Sequence, residues 1–191
     1  MTEEKKNLRL DWATLRLAVI LFAFAAVVAL ALGLVNRITQ DRIAAFAAEK
    51  AAAAMRAVLP AENYAPLTDS AAGKLELVKE VYAADDKGWV VMVTPSGFGG
   101  EINMAVGVDK GGSVTGVSII SMSETSGLGA NAKRESFRSQ YIGKSGSVAL
   151  RKQGGEIDAL TGATVTSTAV TKGVNAALQA AAELMRQEAG I

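Results

Sequence analysis

The sequence predicts an α+β protein, with a single N-terminal transmembrane helix followed by a mostly antiparallel sheet domain with flanking helices. Three observations carry this expectation. An uncharged apolar run occupies residues 17–35, four strand-like segments separated by Asp/Gly turns follow it, and apolar residues near the C-terminus recur at spacings of three and four.

The apolar run Leu17–Val35 reads LAVILFAFAAVVALALGLV. At ~1.5 Å per residue it makes about 28 Å of helix, close to the hydrocarbon thickness of a bilayer. Arg16 and Arg37 bracket it and Trp12 precedes it by one turn, residues suited to the headgroup layer. Ala29-Leu30-Ala31 and the basic residues Lys5, Lys6 and Arg9 also fit a cleaved signal peptide. The uncharged run exceeds the ~7–15 residues usual for signal h-regions, which favours an anchor. Lys5, Lys6, Arg9 and Arg16 before the run, against Arg37, Arg42 and Lys50 after it, give a thin bias toward a cytoplasmic segment 1–16. Ala25, Ala29 and Gly33 form a small-residue stripe on which another membrane helix would fit, although alanine is common in such spans.

Residues 36–59 are Ala-rich, read as a helical stalk and stop before Pro60. Residues 60–73 read as a loop, and the soluble domain is assigned to 60–191. Strands are expected at Leu75–Ala83, Trp89–Thr94, Ile102–Val108 and Val114–Ser121. Asp85-Asp86-Lys87-Gly88 and Asp109-Lys110-Gly111-Gly112 are hairpin-type connections, so the pairing should be antiparallel. After the loop Glu124–Gly129, a short helix is expected over Ala132–Tyr141 and a strand near Ser147–Arg151. Val170, Val174, Ala177, Leu178, Ala181, Leu184 and Met185 mark an amphipathic terminal helix that packs on the sheet, with Thr164 just before its start.

Composition removes many chemistries. There is no cysteine and no histidine, so disulfides, thiolate nucleophiles, iron-sulfur ligation, His-ligated haem and the usual zinc and copper sites are excluded, as are Ser-His-Asp and Cys-His mechanisms. A formal charge of +1 gives no field for nucleic acid, and no catalytic or metal-ligating residue is expected. Redox chemistry here would need a bound organic cofactor.

The segment Asp158-Ala159-Leu160-Thr161-Gly162-Ala163-Thr164 fits the pattern D-x-x-[ST]-G-A-[ST]. It has an accessible type of hydroxyl beside two small residues, and a helix start beyond it would offer free N–H groups and a positive dipole end to a phosphate. Taken alone, Thr164, Thr166, Ser167 and Thr168 would pass for an ordinary hydroxyl-rich helix start. With the Asp at its offset, the following helix and the anchor, the chain resembles the FMN-binding domain family of the Rnf and Nqr respiratory complexes. The resemblance runs from about Ser96 through the terminal helix and includes Gly97-Phe98-Gly99-Gly100-Glu101-Ile102, Val106-Gly107-Val108, Gly116-Val117 and Glu124-Thr125-x-Gly127-Leu128-Gly129.

The resemblance implies that a flavin transferase moves FMN from FAD onto the Thr164 hydroxyl as a phosphodiester. Asp158, Leu160, Thr161, Gly162, Ala163 and Thr166 would surround it, and Glu124, Thr125, Gly127, Leu128 and Gly129 would border the flavin. The glycines have a plainer reading as turn residues. Met122 and Ser126 stand where the family's H-x-E-T-P-G-L-G form has His and Pro, which removes imidazole from the loop and loosens it. Length favours the G subunits of Rnf (Rsx) complexes over the longer C subunits of sodium-translocating NADH:quinone oxidoreductases. A flavin-free tethered interaction domain is the alternative from another class. The implied role is an electron carrier between ferredoxin and NAD, held in a bacterial inner membrane among other subunits and lipid, with its flavin domain on the periplasmic face.

Overall fold

The computed structural model describes residues 12–67 and 75–189. Lys5, Lys6 and Arg9, and the expected loop beyond Leu67, lie outside the described residues. The chain divides into two compact units, Met1–Ala48 and Glu49–Ile191.

Helix α1, Trp12–Val58, runs through the expected anchor and stalk and ends two residues before Pro60. Within the first unit it is long and apolar enough to cross a membrane. Leu17, Ile20, Leu21, Phe22, Phe24, Leu30 and Leu34 all lie open on its surface. Such a belt is costly to leave facing water.

In the second unit five strands form an antiparallel meander in the order β1-β2-β3-β4-β5, comprising Tyr64–Pro66, Val78–Ala84, Gly88–Val93, Asn103–Asp109 and Val114–Ser121. The four expected strands are present, with β2 starting three residues later than Leu75. Strand β1 lies in what reads as loop: it has only three residues and ends on Pro66, too short for a period-two signal.

Helix α3, Thr164–Ala189, covers one face of the sheet. Val170, Val174, Ala177, Ala181 and Leu184 are buried against Trp89, Val91, Val93, Met104, Val106 and Val108, the alternate positions of β3 and β4. The opposite face carries a smaller cluster, in which Ala54, Val58 and Leu59 meet Ala84, Val90 and Ala105. Gly107 and Gly116 are register partners there. A Cβ on Gly107 would lie 2.6 Å from the Val58 carbonyl oxygen, so this glycine pair lets the end of α1 sit directly on the sheet. Thr115 Oγ1 donates to that same carbonyl at 2.6 Å.

Two expected elements differ. The helix over Ala132–Tyr141 is broken into a 3-10 turn Gly129–Lys133, a four-residue α2 Glu135–Arg138 and a 3-10 turn Ser139–Tyr141. Arg134 is extended at the break (φ −68, ψ 141). Arg138 takes up the Lys133 carbonyl at 3.0 Å and the Val117 carbonyl of β5 at 2.7 Å. The strand near Ser147–Arg151 is absent. Asn175 of α3 pairs with both backbone groups of Val148 at 2.8 Å, doing what a neighbouring strand would do, and Arg151–Gln153 turns into a 3-10 helix.

Candidate functional site

The Asp158–Thr164 segment is a loop fastened at both ends. At its start, Gln140 reads the Asp158 backbone: its Oε1 accepts the Asp158 N–H at 2.7 Å and its Nε2 donates to the Asp158 carbonyl at 3.4 Å. The Asp158 carboxylate takes two bonds from Arg151, at 2.7 and 3.2 Å, in the fork geometry that suits guanidinium and carboxylate. Both side chains are about two-thirds exposed.

At the other end the Ala163 N–H donates to the Leu160 carbonyl at 3.0 Å and closes a turn. Gly162 is its third residue, with φ +72, a conformation that penalises any Cβ. Buried Ser167 holds the turn from below, accepting the Leu160 N–H and donating to the Ala163 carbonyl, both at 2.9 Å. Deeper still, Thr171 donates to the Ser167 carbonyl at 2.9 Å and shares a hydrogen bond with the buried Tyr141 hydroxyl at 2.8 Å. Burial pushes that tyrosine up to about 12, only partly offset by the Thr171 bond.

Thr164 is the first residue of α3 itself, one position later in the helix than the sequence reading places it. The first i→i−4 bond runs from the Ser167 N–H to the Ala163 carbonyl, at 3.0 Å. The N–H groups of residues 164–166 therefore precede the first intrahelical donor and have no carbonyl of their own helix to bond, the arrangement that favours an anion at a helix start. Thr164 is exposed, whereas Thr166, two residues on, is only 1% accessible.

Thr164 lines a cleft of about 410 Å³ together with Phe98, Glu124, Thr125, Leu128, Gly129, Gly162, Ala163, Val165 and Thr166. Phe98 (74% exposed), Leu128 (44%) and Val165 (53%) give it apolar walls open to solvent. Glu124 ties the walls together. Its Oε1 accepts the N–H groups of Phe98 and Gly99 at 2.7 and 3.2 Å, and its Oε2 accepts the Thr166 hydroxyl at 2.9 Å. Thr164 also lines a second cleft, of the same volume, with Arg151, Lys152, Asp158, Leu160 and Thr161.

The structure thus brings Glu124, Thr125, Leu128 and Gly129 to one cleft with Gly162, Ala163, Thr164 and Thr166. Asp158, Leu160 and Thr161 sit at the second cleft, and Gly127 lines neither, being an exposed turn residue with φ +79. Phe98 and Val165 are not among the expected site residues. A lone aromatic flanked by glycines, with no periodic face to join, is the signal that marks Phe98. Arg151, Gln140 and Ser167 carry no comparable signal, because their roles depend on distant backbone. Met122 packs against the main core, and Lys172 lines a separate cleft.

This set of residues fits FMN. The cleft offers an exposed hydroxyl for a phosphoester, free N–H groups beside it for the phosphate charge, and apolar walls for an aromatic ring.

Residues 97–179 match the FMN-binding domain family, and residues 6–58 match the RnfG N-terminal region. Among relatives, the G subunit of the Na(+)-translocating ferredoxin:NAD(+) oxidoreductase complex of Acetobacterium woodii is 35% identical, covering 93% of this chain and 96% of its own. The G subunit of the ion-translocating oxidoreductase complex of Stutzerimonas stutzeri is 34% identical over 81% of this chain and 75% of its own. That of Methanosarcina acetivorans is 30% identical over 85% and 92%. A solved structure, the C subunit of the Na(+)-translocating NADH-quinone reductase from Parabacteroides distasonis, is 22% identical, with a TM-score of 0.45 over 56% of this chain and 61% of that one. With both of its regions matched and a relative aligned along nearly its whole length, the chain belongs to the G-subunit family of ion-translocating oxidoreductase complexes.

Proposed function

We propose that this protein is the membrane-anchored electron-carrier subunit of an ion-translocating ferredoxin:NAD oxidoreductase, and that it carries FMN joined by a phosphodiester to Thr164. Family membership and the FMN-binding domain support the carrier role and the cofactor. The observation that carries the attachment is the placement of the Thr164 hydroxyl: exposed, on the first residue of α3, and bordering the cleft with its apolar walls.

FMN when bound accepts and releases electrons one or two at a time. The chain's own work is positional. Thr164 supplies the hydroxyl, the N–H groups of residues 164–166 face the region where a phosphate charge would lie, and Phe98, Leu128 and Val165 supply apolar surface. Ser167 and Gln140 keep the motif loop in register beneath that hydroxyl. No side-chain acid or base is required. The apolar belt of α1 keeps the carrier in the membrane beside the other subunits, and the positive-inside bias favours the periplasmic face for the flavin domain. Covalent attachment then prevents loss of the cofactor to the outside. Thr161 is also exposed, but it lines only the second cleft.

The test is an intact mass of the full chain co-expressed with a flavin transferase. The expected mass is one FMN less one water above the polypeptide, and the denatured gel band should fluoresce. An unmodified mass under those conditions would overturn the attachment.

A further inference from the structure

Glu124 sits where three parts of the cleft meet. Its two carboxylate oxygens receive three donors, two backbone N–H groups from the Gly97–Gly100 loop and one hydroxyl from the first turns of α3. Every partner donates, the pattern that an ionised carboxylate satisfies. The neighbouring glycines are shaped around it. A Cβ on Gly129 would lie 2.6 Å from Glu124 Oε2 and 2.7 Å from Thr166 Oγ1, and one on Gly97 would fall closer still to Glu124 Oε1. A Cβ on Gly99 would run into the backbone carbonyl of Ser123, next to Glu124. Glycine is therefore needed at positions 97, 99 and 129 for close approach. The side chain is half-buried, so its charge is less screened than that of a surface carboxylate.

We propose that Glu124 is a positioning residue which latches the Gly97–Gly100 loop and α3 together around the cleft and places a fixed negative charge beside it. The part concerning charge rests on the FMN reading above. The latch holds Phe98 at the rim, since the N–H groups of Phe98 and Gly99 are the points at which Glu124 grips the loop. The charge disfavours added electron density in the cleft and so keeps the potential of a redox group seated there low. With its oxygens already engaged, Glu124 acts through the loop and through its field.

Glu124→Gln and Glu124→Ala separate the two effects. The glutamine keeps an acceptor for the loop and a polar group for Thr166 while removing the charge, whereas the alanine removes both. The first readout is hydrogen exchange, by mass spectrometry of peptides spanning residues 97–100, on the full-length chain in detergent made without a transferase. Glu124→Ala should exchange about ten- to a hundredfold faster there, the size expected for losing charge-assisted bonds. Glu124→Gln should stay close to the parent protein. The second readout is the midpoint potential of the flavin-loaded chain, which should become more positive in Glu124→Gln. Unchanged exchange in the alanine variant overturns the latch, and an unchanged or more negative potential in the glutamine variant overturns the charge. Should Glu124→Ala fail to fold, Thr166→Val removes one donor at nearly constant volume; faster exchange in the same segment supports the latch, and unchanged exchange overturns it. The exchange readout needs no flavin, so a chain that carries none sinks the attachment at Thr164 and leaves exchange alone to decide the latch.

Discussion

Two carboxylates flank the site at Thr164, and they are used in opposite ways. Glu124 is half-buried and spends both oxygens on donors from other parts of the fold, two of them backbone N–H groups. Asp158 is exposed, and among the described residues its carboxylate is met only by the equally exposed Arg151; the backbone of its loop is held by Gln140 and Ser167 instead. Removing water from an interaction raises its worth, and exposure to salt and solvent lowers it. The difference teaches that the Gly97–Gly100 loop is fastened directly by a half-buried carboxylate, while the motif loop is fastened by neutral hydrogen bonds from below, which leaves the Asp158 carboxylate on the surface.

The most complete effect should come from Thr164 itself. Thr164→Ala is expected to abolish the covalent mass increase, while Thr161→Ala keeps it, as read by intact mass and in-gel fluorescence. The reverse result would move the attachment to the other side of the Gly162 turn.

Next is the neutral support of the motif loop. Ser167→Ala leaves the Leu160 N–H without its acceptor in a partly buried setting, and should cost about 1–2 kcal/mol in denaturant unfolding of the detergent-solubilised chain. A cost near zero would show that this loop is not held from below.

Tyr141→Phe removes the last bond of the same chain and should cost roughly 1 kcal/mol near neutral pH. The variant also has a signature in alkali. The tyrosine in the folded state is raised from 10.0 to about 12, so folding favours its protonated form. Its contribution is fully present below pH 10 and is lost as pH rises through 12. The parent protein should lose about 2–3 kcal/mol more than Tyr141→Phe across that window, so that it falls from about 1 kcal/mol above the variant to about 1–2 kcal/mol below it. Parallel curves would place the hydroxyl in a wetter setting.

The smallest change in stability should follow Arg151→Ala, because an exposed ion pair contributes about 0–1 kcal/mol even with good geometry. Asp158→Asn should likewise leave the melting temperature almost unchanged while lowering the extent of flavin attachment. Equal losses of stability and attachment would mean that the carboxylate supports the fold, and the contrast with Glu124 would disappear.

Much of the architecture was legible in the residues because it rests on repeating patterns. An uncharged run of bilayer length, period-two strands between Asp/Gly turns and a terminal helix with apolar residues three and four apart are local signals, and all of them became elements. Thr164 stands out in the sequence for another reason: its motif is a short contiguous string, and the chemistry proposed for it needs only small neighbours and a helix start. Misreadings arose where distant groups settled local conformation. Val148 and Leu150 alternate as a strand would, yet the side chain of Asn175 takes the place of a neighbouring strand. Arg134 breaks a segment that reads as one helix, in a region where Arg138 reaches across to β5.

By itself, then, the sequence determined the N-terminal helix, the four long strands, the terminal helix with the side of α3 that faces the sheet, and the absence of any Cys or His chemistry, since each follows from composition or from neighbours a few residues apart. Only the tertiary structure decided which threonine is open and which is buried, which carboxylate is engaged and which is on the surface, and that Phe98 stands at the cleft with Thr164. Those outcomes depend on contacts between residues 26 and 42 positions apart, Phe98 with Glu124 and Glu124 with Thr166. Closing such loops requires the whole sheet to be in place first, so no local pattern records them.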